Sequence, residues 1–60
     1  MKDPVYAKEL QKGDMVNGHE DGWLTVKNIR KLNRTFIEVD FTNGIRKTYF
    51  SGDKVEAIRR

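Results

Sequence analysis

This 60-residue chain has no cysteine, one proline, one histidine and no long apolar run. Without cysteine, a disulfide staple and a thiolate metal site are both excluded, so a small apolar core and well-formed turns must carry the fold. Uninterrupted apolar stretches reach two or three residues. A bilayer span needs roughly 20 and the apolar core of a signal peptide roughly 7 to 15. A soluble, unexported protein is therefore expected, in the cytoplasm and away from membranes. The length leaves room for one domain, residues 1–60, and a chain this short buries only about 60% of the surface its unfolded form exposes.

Catalytic chemistry is equally thin. There is no phosphate-cradling glycine loop, nucleophile elbow or zinc-helix motif, and residue 19 is the only histidine. His19, Glu20 and Asp21 are adjacent in a polar connection, which makes a weak metal site without a distant fourth ligand. No catalytic residue, metal or cofactor is expected.

What the chain does have is charge. Twelve Lys and Arg against nine Asp and Glu give a net charge of +3 and a pI near 9.5. The first 21 residues carry three cations and five anions, whereas nine cations and four anions follow from Gly22 onward. Such asymmetry suggests an acidic partner, nucleic acid above all. The alternative is charge that only keeps a small domain soluble.

The pattern is all-β. Asp3-Pro4 biases the start towards extended geometry, giving an arm or short strand over Val5, Tyr6 and Ala7. One helical turn at most fits Glu9 to Lys12, and Lys12-Gly13-Asp14 is a turn. Met15 to Asn17 is a short strand. Trp23 to Lys31 is a longer one, whose apolar positions break the period of two. A bulge near Lys27-Asn28 restores it and places Leu24, Val26 and Ile29 on one face.

The clearest local signal lies in Thr35 to Phe50, where Asn43-Gly44 separates two runs rich in β-branched and aromatic residues. A two-residue type I′ turn pairs Ile37 with Phe50, Val39 with Thr48, Asp40 with Lys47 and Phe41 with Arg46. Ile37, Val39, Phe41 and Phe50 then form the core face, and Glu38, Lys47 and Tyr49 point outward. A turn at Ser51 to Lys54, read as one turn of 3-10 helix, leads to a last strand with Val55, Ala57 and Ile58. Five strands are expected, closed into a small barrel.

This layout resembles the SH3-like small barrel over nearly the whole chain. Leu10-x-x-Gly13-Asp14-x-Val16, followed by Gly22, Val26 and Ile29, is similar to the opening of KOW and Tudor-like modules, and to small uncharacterised barrel proteins of bacteria and phages. The dense glycine spacing of a KOW loop, the aromatic cage of methyl-lysine readers and the acidic, tyrosine-rich groove of proline-peptide readers are missing. The resemblance thus implies a fold more than an activity.

Two clusters point to a nonenzymatic binding module. Lys27, Arg30, Lys31 and Arg34, with Arg46 and Lys47 as neighbours, are suited to several phosphates of DNA or RNA, read without strong sequence specificity. Phe36 and Tyr49, expected outside, are suited to stacking on bases. The same aromatics would equally serve a protein-interaction module, such as a phage or mobile-element accessory factor docking on a host protein, as a monomer or a weak homo-oligomer. Cations on an edge strand can also be nothing more than guards against aggregation.

Overall fold

The computed structural model describes residues 2–59, with the side chains of residues 4–59. Arg60 of the charge census lies outside the described residues. Alternating apolar positions produce an all-β chain, antiparallel throughout: β1 (Lys2–Tyr6), β2 (Met15–Asn17), β3 (Trp23–Lys31), β4 (Phe36–Phe41), β5 (Arg46–Phe50) and β6 (Lys54–Ile58). They form one six-stranded sheet in the order β1-β6-β2-β3-β4-β5.

The expected count of five strands is corrected to six. The N-terminal arm pairs with β6 along Lys2–Tyr6 and becomes a full edge strand. The sheet is open, with β1 and β5 at its edges. The 3-10 turns also lie elsewhere than expected, at Ala7–Glu9 and His19–Asp21. Before β6 there is instead a tight turn in which the Asp53 N–H donates to the Phe50 carbonyl at 3.0 Å.

Strand β3 is the hinge of the architecture. Its first half, Trp23 to Thr25, pairs with β2, and Val26 to Lys31 pairs with β4. The register shifts between Val26 and Asn28, which is the expected bulge. It brings Leu24 and Val26 fully inside and Ile29 against the core. The core comprises Ala7, Leu10, Val16, Leu24, Val26, Ile37, Val39, Phe41 and Ala57. Each large side chain buried here contributes about 1.5–3 kcal/mol by leaving water.

The β4–β5 hairpin differs by one residue from the expected register. Ile37 faces Tyr49, Val39 faces Lys47 and Asp40 faces Arg46. The Phe41 N–H donates to the Ile45 carbonyl at 2.8 Å, leaving Thr42, Asn43 and Gly44 as a three-residue loop. Gly44 N–H donates back to the Phe41 carbonyl at 3.1 Å. Gly44 has φ +88°, and among the described residues only His19 joins the glycines at positive φ, so Asn43 does not adopt the type I′ geometry. This is a type I turn followed by a left-handed glycine.

A one-residue slip moves every β5 side chain to the other face. Ile45 takes the place beside Phe41 that Arg46 would have held, which puts an aliphatic side chain rather than a guanidinium against the core. Phe50, expected in the core, is 54% exposed. Tyr49, expected outside, packs against the core instead.

Candidate nucleic-acid interface

The outer face of β3, β4 and β5 carries Arg30, Glu38 and Thr48 in one cross-strand row, and Asn28, Asp40 and Arg46 in the next. Arg30 donates to Glu38 Oε1. Arg46 Nε donates to Asp40 Oδ1 at 2.6 Å and lies 3.8 Å from Glu38 Oε1. The Glu38 hydrogen bond raises the Arg30 pKa above its ordinary value. The expected Asp40–Lys47 pair is thereby replaced by Asp40–Arg46. Two of the candidate phosphate-binding arginines thus have carboxylates as partners.

Lys31 and Arg34 are placed differently. The β3–β4 turn is shaped by Asn33, whose Oδ1 accepts the N–H groups of Thr35 and Phe36, both at 2.8 Å. This local capping lets the chain reverse without a β-ladder. Ser51 then ties three segments together. Its Oγ donates to the Arg34 carbonyl at 3.0 Å, its N–H to the Thr35 carbonyl at 2.7 Å, and its carbonyl accepts the Lys8 N–H at 3.3 Å. The result is a cleft of about 400 Å³ lined by Lys8, Lys31, Asn33, Arg34, Ile37 and Ser51. Among the described residues, none of its three cations has a carboxylate within ion-pair distance.

Lys8 was not among the residues expected in a binding site. It sits in the acidic part of the chain and is held at the cleft by its N–H bond to the Ser51 carbonyl, next to the Ala7 N–H bond to the Asp53 carbonyl. Its Nζ lies 5.6 Å from the centre of the Tyr6 ring, which Lys54 Nζ approaches at 5.5 Å. The exposed Tyr6 ring thus accommodates two ammonium groups.

The other candidates are dispersed. Lys27, at the bulge, is exposed and shares a shallow cleft with Asp40, Gly44 and Arg46. Lys47 turns to the inner side, where its Nζ meets Asp21 Oδ2 at 3.1 Å. Tyr49 is half-buried beside it, and burial raises its phenol pKa, with Lys47 opposing the shift. Tyr49 is therefore no outward stacking platform, a correction that follows from the hairpin slip. Phe36 does point outward, half-buried, with its ring 4.9 Å from that of Phe50. Phe50 is thus the aromatic partner that the shorter turn had hidden.

Lys47 and Tyr49 also line a second cleft of about 350 Å³ with Asn17, His19, Lys54 and Glu56. Among the described residues, no three His, Asp or Glu side chains gather as a metal ion would require. No helix there is long and apolar enough to cross a membrane. No protein-family model, curated protein or solved structure matches this chain.

Proposed function

We propose that the chain is a nonenzymatic binding module with an SH3-like arrangement of strands, working in the cytoplasm, that binds nucleic acid through phosphate contacts without strong sequence preference. The fold part of this reading is supported by β3 pairing with β2 through its first half and with β4 through its second, and by β6 returning beside β2. Hydrogen bonds from Ala7 N–H to the Asp53 carbonyl and from Lys8 N–H to the Ser51 carbonyl draw the N-terminal segment against the β5–β6 turn, at 2.7 and 3.3 Å.

The observation that carries the functional part is the convergence of Lys8, Lys31 and Arg34 on one cleft without neutralising carboxylates. Cations left unpaired attract a polyanion and release its condensed counterions. Lys27 adds a fourth unpaired charge at the bulge. Arg30, Arg46 and Lys47 contribute only by exchanging a carboxylate for a phosphate. Phe36 and Phe50 offer an aromatic surface at the same end of β4, where a stacked base is worth about 1–3 kcal/mol.

Fluorescence anisotropy with single-stranded DNA, duplex DNA and RNA oligomers at low salt tests the reading. Wild type is expected to bind with log affinity falling linearly in log salt, with a slope of roughly −3 for three phosphates on duplex DNA. A Lys31→Glu, Arg34→Glu variant should lose most of this binding. If wild type bound none of the three at low salt, the reading would be abandoned.

A second reading, a protein-interaction module, is favoured by one observation. Leu32, 52% exposed, and Phe50, 54% exposed, flank Phe36 on the outer face. Phe36→Ala would weaken a protein contact centred there, whereas the double charge reversal would spare it.

A further inference from the structure

Strand β5 is an edge of the sheet, and the parity of its hydrogen bonds shows which groups are open. Phe41 N–H bonds to the Ile45 carbonyl and Ser51 N–H to the Thr35 carbonyl, so residues 45, 47, 49 and 51 turn their main-chain groups towards β4. Arg46, Thr48 and Phe50 turn theirs away. Phe50 N–H is already taken by Asp53 Oδ2 at 3.1 Å and its carbonyl already accepts the Asp53 N–H, which leaves, among the described residues, the N–H and carbonyl groups of Arg46 and Thr48 open along the edge. The opposite edge, β1, carries Pro4, which has no N–H to offer.

We propose that this edge pairs with a second copy of the chain, β5 antiparallel to β5, with Thr48 on the two-fold axis. The register follows from charge. Centring on Arg46 or on Lys47 would put like charges directly opposite each other, which is destabilising. Centring on Tyr49 places the occupied Phe50 N–H opposite Thr48, so Thr48 keeps only one bond to the other copy and Arg46 faces Gly52 beyond the strand end. Centring on Thr48 sets threonine against threonine, Arg46 against the second copy's Phe50, and Lys47 against its Tyr49. Thr48 N–H and carbonyl then exchange bonds in both directions, and each Arg46 N–H reaches the other copy's Phe50 carbonyl, which has a second lone pair beside the Asp53 bond.

The outer face suits the same arrangement. Arg46, held by Asp40, lies on the face that carries the exposed Phe50 ring, so each guanidinium is set beside an aromatic of the other copy. The edge-to-edge contact also joins the two Phe36–Phe50 patches into one surface. An isologous contact of this kind closes as a dimer and leaves no further β5 edge to propagate.

Sedimentation equilibrium of the full chain and a cysteine scan test the proposal together. Wild type should pass from monomer to dimer mass as concentration rises towards about 1 mM, the weak end of specific association. Thr48→Lys, which sets two ammonium groups on the axis, should raise the dissociation constant about tenfold or more. Because the native chain has no cysteine, Thr48→Cys provides a single thiol per copy. Its two Cα atoms would lie about 5.5 Å apart in a hydrogen-bonded pair, within the span of a disulfide. Under mild oxidation it should therefore cross-link much faster than the exposed control Thr42→Cys. A wild type that stays monomeric up to about 1 mM would overturn the proposal and leave the edge to an extended strand of another protein. So would Thr48→Cys cross-linking no faster than the control. The cross-linking arm decides the matter even if Thr48→Lys fails to fold.

Discussion

Arg59 closes over Asp14 as a two-pronged ion pair, Nε to Oδ1 at 3.1 Å and Nη2 to Oδ2 at 3.0 Å. The same Nη2 donates to the Glu9 carbonyl at 3.0 Å, and Asp14 Oδ2 accepts the Gln11 N–H at 2.9 Å. Asp14 is 3% exposed and is the one buried charged residue among those described. The last residue described before Arg60 is thereby fastened across the turn that leads into β2.

This pair predicts an acid-dependent stability. Burial pushes the Asp14 carboxyl up, but the Arg59 and Gln11 hydrogen bonds outweigh it and hold its pKa below the ordinary value of 3.8. A carboxyl whose pKa is depressed on folding stabilises the fold fully above its unfolded pKa and loses that contribution as pH falls through the folded one. Asp14→Asn should cost about 2 kcal/mol near neutrality, or roughly 10 °C in the melting midpoint of a domain this size. Thermal melts from pH 7 to pH 2 should show the gap between wild type and variant intact above about pH 4 and closing below it. A gap that does not shrink in acid would remove Asp14 from this role.

Glycine substitutions test the hairpin turn. Gly44 has φ +88° with nothing within 4 Å of the point where a Cβ would stand, so Gly44→Ala meets no clash and is opposed by backbone strain alone. Strain of this kind costs about 1–2 kcal/mol. Gly52 has the same open surroundings without a positive φ. Gly52→Ala should therefore be neutral or stabilising by about 0.4–1 kcal/mol, because it restricts the unfolded chain. Urea denaturation of the two variants should move the midpoints apart, Gly44→Ala downwards. Equal shifts would contradict the three-residue turn.

The parts of the structure that were legible in the sequence are those governed by local pattern. Met15 to Asn17 and Trp23 to Lys31 stand at the bounds their apolar positions indicate, and the bulge after Val26 follows from the break in alternation between Val26 and Ile29. The β5 faces were not legible, because Thr42-Asn43-Gly44 accommodates two turn types that differ by one residue. What separates them is a tertiary preference, Ile45 rather than Arg46 beside Phe41. The β1 edge, the Lys8 contribution to the cleft and the Asp14–Arg59 pair depend on contacts between residues far apart in the chain, 45 positions in the case of Asp14 and Arg59. No local composition announces such pairings, since loop closure and packing decide them together.

The Glu38 carboxylate offers the sharpest functional prediction, since it restrains two arginines that the proposed interface could otherwise use. It accepts from Arg30 and lies 3.8 Å from Arg46 Nε. Glu38 is half-buried on the outer face, so Glu38→Gln keeps the side-chain volume while removing a negative charge between the two guanidinium groups. Because the arginine partners are exposed, such surface pairs add little to stability, and the melting midpoint should change by only a few degrees. Affinity for nucleic acid should instead rise several-fold at low salt. The slope of log affinity on log salt should steepen by up to about 0.9 for each phosphate newly contacted on duplex DNA. Anisotropy titrations of wild type and Glu38→Gln across a salt series measure both quantities. An unchanged slope and affinity, with wild type binding, would confine the interface to the Lys8, Lys31 and Arg34 cleft and exclude the outer-face arginines from it.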